Sequence, residues 1–348
     1  MATIYEVATL AGVSPATVSR VMNGLRVSPE KAELVRAAAL KLDFTPNRTA
    51  RSLRLQNSEV LGLLLPDIEN PYFTSMARGV EDAAQAAGYS VVMCNTDEDP
   101  DKEARYLDIA VSENMAGVII APASDRTELT AVLGRGRPVV AVDRSSRFDV
   151  DAVMMDNRPA GKAAAQALVD AGYRSIACIT GPQEIETAME RALGWRTAVE
   201  AAGGSAPDSR LRFSTFRVEG GRAAMEQLLA GDHPPDAVVA ANNLMGVGAL
   251  QVLTERGLTP PRFGVAVIGD LPFTTLSPAA VTIVRLPARQ MGTTAASMLL
   301  ARITGDDGPP QTVVLPNEVI LASVRPDRWS NPSRRTGGPR PEPDRLHL

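Results

Sequence analysis

Residues 3–23, TIYEVATLAGVSPATVSRVMN, constrain this chain most, because every position in them has a role in two short helices joined by a turn. Thr3 can cap the first helix, and Glu6 three residues later closes a capping box. Ile4, Val7, Ala8 and Ala11 recur at helical spacing and define one buried stripe. Gly12 supplies the positive φ of a tight turn. Ser14 caps a second helix, and Pro15 takes its first position, where the missing amide hydrogen costs nothing. Val18, Val21 and Met22 face inward, and the small Ala8 and Ala11 let the two helices approach. A third helix is expected from Ser28-Pro29-Glu30, with Val35, Ala39 and Leu42 as its inner stripe.

The outward face of the second helix holds Pro15, Ala16, Thr17, Ser19, Arg20 and Asn23, a mostly polar surface that can enter a DNA major groove. Arg20 is the candidate base reader, since a guanidinium can donate two hydrogen bonds to a guanine edge. Thr17, Ser19 and Asn23 suit phosphate oxygens, which set register rather than sequence. Pro15 and Ala16 read only shape or a thymine methyl. Thr3 and Ser14, at the two helix starts, complete the candidate DNA-contacting set. An ordinary helical hairpin with a solvated face is the competing reading; the coincidence of spacing, caps and turn glycine disfavours it.

From Val7 to Asn23 the chain meets every fixed position of V-A-x-x-A-G-V-S-x-x-T-V-S-R-V-x-N. On these residues it resembles the DNA-binding headpiece of the LacI/GalR family of bacterial transcriptional regulators, and the similarity runs to about Val324. The resemblance implies a homodimeric regulator, most often a repressor, in which each headpiece reads one half-site of a palindromic operator on double-stranded DNA. A small-molecule effector, sugar-like in many members, would tune that affinity.

The charge distribution agrees with DNA contact at one end. Residues 1–57 carry eight Lys/Arg and four Asp/Glu, a net +4, whereas residues 58–348 carry 28 and 36, a net −8. The expected division is a headpiece at 1–45, a linker at 46–57, a two-lobed body at 58–324 and a tail at 325–348. Residues 46–55 are too few for a stable isolated helix. The resemblance makes them a hinge helix that orders on DNA, with Asn47 at its start, Ala50 close to the minor groove and Leu53 wedged between base pairs. The tail, with five Pro, two Gly and six Arg, cannot build a core and is expected to be disordered.

In the body, apolar runs at 60–66, 90–95, 117–121 and 138–143 alternate with helix-like segments near 72–87, 101–113 and 125–135. A second series follows at 176–181, 211–213, 237–242 and 265–269. Apolar strands flanked by helices indicate parallel sheets covered on both faces, and two series indicate two lobes. The fold class is therefore an all-α headpiece plus an α/β core. The resemblance refines the core to a periplasmic-binding-protein-like pair, with an N-lobe at about 58–157 and 287–316 and a C-lobe at about 158–285 and 317–324. The chain would cross near 156–160, 284–287 and 315–318.

Ligand chemistry in such sheets sits at the carboxyl ends of strands. There the resemblance places Tyr72 and Phe73, in P-D-x-x-N-P-[FY]-F, and Asp143, Arg191, Phe216 and Asn242 as effector contacts. Two departures stand out. Asn243 replaces the aspartate of A-N-D, and the G-[FY]-D-D loop is contracted to Gly269-Asp270-Leu271-Pro272, so the acidic contact is either Asp270 or lost.

Other classes have less support. A solute-binding protein of a transport system would suit the body but not the headpiece. No G-x-S-x-G elbow, Walker loop or metal-ligand cluster supports an enzyme, and Gly134 and Gly136 lack the full dinucleotide fingerprint. No cofactor and no metal are expected. Cys94 and Cys178 lie in apolar runs, as buried free thiols would. No run is long and apolar enough for a membrane span, nor is the start a secretion signal, so a cytoplasmic protein is expected.

Overall fold

The structure is a computed structural model that describes residues 2–22, 26–44, 58–271 and 280–323. The chain divides into two compact units, residues 1–59 and residues 60–348.

The first unit contains α1 (Ile4–Ala11), α2 (Pro15–Met22) and α3 (Pro29–Lys41). The capping box at Thr3 is complete: Glu6 N donates to Thr3 Oγ1 at 3.3 Å, and Thr3 N donates to Glu6 Oε2 at 2.7 Å. Gly12 ends α1 at φ 64°, and Ser14 Oγ accepts from Thr17 N at 3.2 Å. Val7, Val18 and Val35, one from each helix, form a fully buried centre. Ser28 differs from expectation. It occupies the N-cap of α3, but its side chain makes no capping bond, so Pro29 alone carries the start signal.

The second unit has two six-stranded sheets. The first has the order β11-β5-β4-β3-β1-β2, all parallel: β1 (Val60–Leu65), β2 (Ser90–Asn95), β3 (Gly117–Ile120), β4 (Val139–Val142), β5 (Asp151–Met155) and β11 (Thr312–Leu315). The second has the order β12-β10-β9-β8-β6-β7, with β6 (Ile176–Thr180), β7 (Leu211–Phe213), β8 (Ala237–Ala240), β9 (Gly264–Ile268), β10 (Thr282–Arg285) and β12 (Glu318–Ile320). Only the β10–β12 pair is antiparallel. IACIT is buried along its whole length and VLGLLL in all but its first residue, as such runs demand when helices cover both faces.

Around the first sheet lie α4 (Pro71–Ala86), α5 (Pro100–Ser112) and the short α6 (Thr130–Leu133). Around the second lie α7 (Asn157–Asp170), α8 (Glu186–Ala201), α9 (Val218–Leu229) and α10 (Asn243–Glu255). α11 (Ala288–Ile303) returns to pack on α4 of the first lobe. The chain thus passes between lobes at Asp156, at Leu286 and Pro287, and at Pro316 and Asn317. Asn317 Nδ2 donates to Asp156 O at 3.1 Å and ties two of these crossings together.

Sequence patterning missed β5, β10, β11 and β12, each a short run that opens on a polar or charged residue. β5 begins with Asp151, whose carboxylate is buried and paired with Arg302 at 2.7 Å, and β11 and β12 are short edge strands with exposed side chains. The helix expected over 125–135 shrinks to α6.

Candidate functional site

In the headpiece, Pro15, Ala16 and Arg20 are exposed on α2, Thr17 and Ser19 are half-buried beside them, and Ser14 is exposed just before them. Two hydroxyls are already engaged. Thr3 Oγ1 bonds Glu6 Oε2 at 2.9 Å, and Ser14 Oγ lies 2.9 Å from Thr17 Oγ1. These bonds order both helix starts, and they leave Arg20 as the exposed cation of α2. Asn23, Asn47, Ala50 and Leu53 lie outside the described residues, as does the tail beyond 323.

In the second unit a cleft of about 210 Å³ opens between the lobes at the carboxyl ends of both sheets. Tyr72, Phe73, Asp143, Arg191, Phe216 and Asn242 all line it. Tyr72 and Phe73 stand in the first turn of α4, with rings edge-to-face at a centroid distance of 5.0 Å. Tyr72 Oη donates to Asp143 Oδ1 at 2.8 Å. Burial, and then the Asp143 charge, hold the phenol well above its usual range, so it stays a neutral donor. Asp143 itself sits just past β4 at φ 66°, an uncommon backbone conformation of the kind found where function fixes a side chain.

Arg191 projects from α8 and is buried. Its Nε donates to Asn157 Oδ1 at 2.8 Å and its Nη1 to Ala241 O at 2.6 Å; among the described residues Nη2 has no hydrogen-bond partner. Burial pulls its pKa down, and the field of Asp143 works against that. Phe216 lays its ring on Gly181, where an added Cβ would come within 2.1 Å of the ring. Asn242 caps α10 through Met245 N at 2.7 Å, and its Nδ2 donates to Phe216 O at 3.1 Å. Its amide is thereby committed to positioning Phe216.

Asp270 is not brought to this cleft. Its carboxylate accepts from Arg285 Nε at 3.0 Å, half exposed, and the following residues 272–279 are outside the described ones.

Several lining residues escaped sequence reasoning: Asp67, Asn70, Asp97, Glu98, Arg144 and Arg217. All follow strand ends or precede helices, which was the available signal. Arg144 is buried and bonds Glu98 through both terminal nitrogens at 2.6 and 2.7 Å. Burial works to lower its pKa, but Glu98, with the nearby charges of Asp143 and Glu103, outweighs burial and raises it. Glu98 and its neighbour Asp97 both have positive φ, at 60° and 55°. Arg217 is paired with Glu69 at 3.3 Å and lies 4.0 Å from Asp67. Burial raises the Asp67 carboxyl, opposed by the Glu69 amide and Arg217. The cleft thus combines aromatic faces with acceptors at Asp67 and Asp143 and a donor at Arg191.

Among the described residues no helix is long and apolar enough to cross a membrane, and no three potential metal ligands cluster. Cys94 and Cys178 are both free and buried.

Comparison with known proteins agrees with both units. Residues 3–47 match the family described as bacterial regulatory proteins, lacI family, and residues 58–322 match periplasmic binding proteins and sugar binding domain of LacI family. The ribose operon repressor of Escherichia coli (strain K12) is 35% identical over 311 residues, which cover 87% of this chain and 94% of that protein. Among solved structures, the transcriptional regulator CelR–cellobiose complex is 31% identical, with a TM-score of 0.69 over 93% of this chain and 99% of its own. The lac repressor dimer bound to operator and an anti-inducer is 24% identical with a TM-score of 0.81, over 93% and 99% of the two chains, a likeness of fold. These relatives are regulators rather than enzymes or transport proteins, and the helix-turn-helix unit is what separates this chain from a solute receptor. The chain belongs to the LacI family of bacterial regulatory proteins.

Proposed function

We propose that this protein is a homodimeric repressor that binds a palindromic operator through Arg20 and its neighbours and adjusts that binding to an uncharged, polyhydroxylated effector in the interlobe cleft. The observation that carries the effector reading is the cleft's pattern of spent and unspent charge. Arg144 is neutralised by Glu98 inside the protein, and Arg217 stands beside the carboxylates of Glu69 and Asp67, so a phosphate would meet paired cations and nearby negative charge. Arg191 retains one nitrogen, beside acceptors at Asp143 and aromatic faces at Phe216 and Tyr72. A ring with several hydroxyls uses such a set, stacking its apolar face while its edges exchange hydrogen bonds. The relatives named for a ribose operon and for a cellobiose complex support the same ligand class.

Pairing of two chains is supported by edge strand β2, where Val92 and Met93 are 42% and 48% exposed, an apolar surface that a second copy would cover. Two headpieces reading two half-sites give phosphate contacts in number, so operator affinity should fall steeply with salt.

A thermal-shift screen of neutral pentoses, hexoses and disaccharides against their phosphate esters tests the effector reading. A neutral sugar at a hundred times its Kd should stabilise the body by about 2.7 kcal/mol and change operator affinity in a gel shift. If only the phosphorylated sugars stabilise, the charge argument is wrong. Leu53→Ala should weaken binding to the operator with little effect on scrambled DNA, because a wedge acts only where the duplex is kinked. An unchanged operator titration would remove Leu53 from the contact set.

A further inference from the structure

The cleft carries, besides its ligand-facing groups, a bond between the lobes that has a defined polarity. We propose that Asn70 and Asn243 form an amide latch that holds the lobes closed and lets lobe closure set the start of α4; this rests on the cleft being the effector site. Asn70 precedes α4 in the first lobe and Asn243 opens α10 in the second. Both side chains are buried, at 5% and 4% exposure. Asn243 Nδ2 donates to Asn70 Oδ1 at 3.0 Å.

The orientation of both amides is fixed by their other bonds. Asn70 Oδ1 also accepts from Tyr72 N at 3.0 Å, as the cap of α4, so that atom must be the oxygen. Asn243 Oδ1 accepts from Leu244 N at 3.0 Å, so its remaining atom is the nitrogen. One oxygen in the first lobe therefore serves both a helix start and the opposite lobe. Gly269, at φ 109°, leaves the space for this side chain: a Cβ there would lie 3.2 Å from Asn243 Cβ.

Two further bridges cross the cleft, Arg217 to Glu69 at 3.3 Å and Ser145 N to Glu186 Oε2 at 3.1 Å. Both lie at exposed positions where water and salt compete. The amide pair is the bridge that water does not reach. Its geometry also links closure to the ligand surface, because the helix it caps begins with Tyr72 and Phe73. Opening the lobes takes one of the two donors from Asn70 and loosens the cap that positions both rings.

The latch needs a donor at 243. An ionised aspartate there would set a carboxylate against the Asn70 oxygen, whereas a protonated one could still donate. The charged groups lining the same cleft are Asp67, Asp97, Glu98, Asp143, Arg144, Arg191 and Arg217, with Glu69 beside Asn70 and Asp270 beside Gly269, and none bonds either amide. An acidic residue at the first position of α10 favours that helix, so any loosening cannot be laid to α10 itself.

Amide hydrogen exchange on the full-length protein, without DNA or sugar, is the direct test. Rates in segments 67–73 and 241–246 are compared with the parent chain at the same pH, which cancels intrinsic exchange. Asn243→Asp should exchange about fivefold faster than the parent or more in both segments near pH 8. Asn243→Ala should be faster there as well. Asn70→Asp, which keeps an acceptor for both donors, should follow the parent. Equal rates for Asn243→Asp and the parent near pH 8 would overturn the latch, as would Asn243→Ala rates equal to those of the parent. A latch verified in this way would stand even if no sugar bound, and sugar binding with an unresponsive segment 67–73 would leave the effector reading intact without it.

Discussion

Arg20→Ala should abolish the preference for operator over scrambled DNA while leaving the headpiece folded. Arg20 is exposed on α2, whereas the core of the unit is Val7, Val18 and Val35, so truncation removes a reader without opening a cavity. A bidentate arginine–guanine pair contributes about 1–3 kcal/mol of discrimination. Two half-sites double this to about 2–6 kcal/mol, a loss of about 30-fold or more in operator affinity. Arg20→Lys should fall between, since an ammonium keeps the charge but not the planar fork. The neighbours cannot compensate. Pro15 and Ala16 lack side-chain donors, and the hydroxyls of Thr3, Ser14 and Thr17 are occupied in organising the helix starts. The measurement is a pair of titrations, operator and scrambled duplex, at one salt concentration, with a thermal melt as the folding control. A mutant that still distinguishes the two duplexes would move base reading to another residue.

The headpiece and the fold class were legible in the sequence for a shared reason: both rest on local rules. Caps, a turn glycine and a 3.6-residue stripe need no knowledge of distant residues, and buried parallel strands announce themselves as unbroken apolar runs. What was missed depends on partners far along the chain. β5 carries a buried Asp151 that Arg302 and the Gln311 amide, about 150 or more residues later, make tolerable. Glu98 reads as a surface loop acid until Arg144 meets it through two hydrogen bonds. Asn243 could be read as a departure from A-N-D, but its function as a donor to Asn70 needed the two lobes side by side. Asp270 shows the opposite case. The contracted G-[FY]-D-D loop left it as a cleft contact or no contact at all, and Arg285 on β10 holds its carboxylate elsewhere. A strand end places a residue near a site, and the pairing of its charge decides whether it faces in.

Gly161→Ala should be the most damaging single-methyl change in the body. α7 and α8 cross with backbone against backbone: a Cβ on Gly161 would lie 2.0 Å from Arg191 O, and one on Gly194 would lie 2.1 Å from Arg158 O. The same device joins α4 and α11, where a Cβ added to Gly79 would lie 2.1 Å from Arg289 O and one added to Gly292 would lie 2.0 Å from Met76 O. A carbonyl in the middle of a helix cannot rotate aside as a side-chain tip can, so the two helices must part along their length. Overpacking a core typically costs about 1–3 kcal/mol, and a clash confined to backbone belongs at or above the top of that range. The functional loss should exceed the stability loss. Arg191 lies on α8 at the contact itself and bonds Asn157, the first residue of α7. Parting the helices therefore stretches the bond that aims the guanidinium into the cleft, and ligand response should fail even where the body remains folded. Gly231→Ala is the matched control, since its nearest neighbour would stand 3.7 Å away and no positive φ is involved. Urea unfolding should give Gly161→Ala a midpoint well below both the parent and Gly231→Ala, with ligand-induced stabilisation absent. A Gly161→Ala midpoint equal to that of the control would mean the helices separate without cost, and close backbone contact would then not be what holds Arg191 in place.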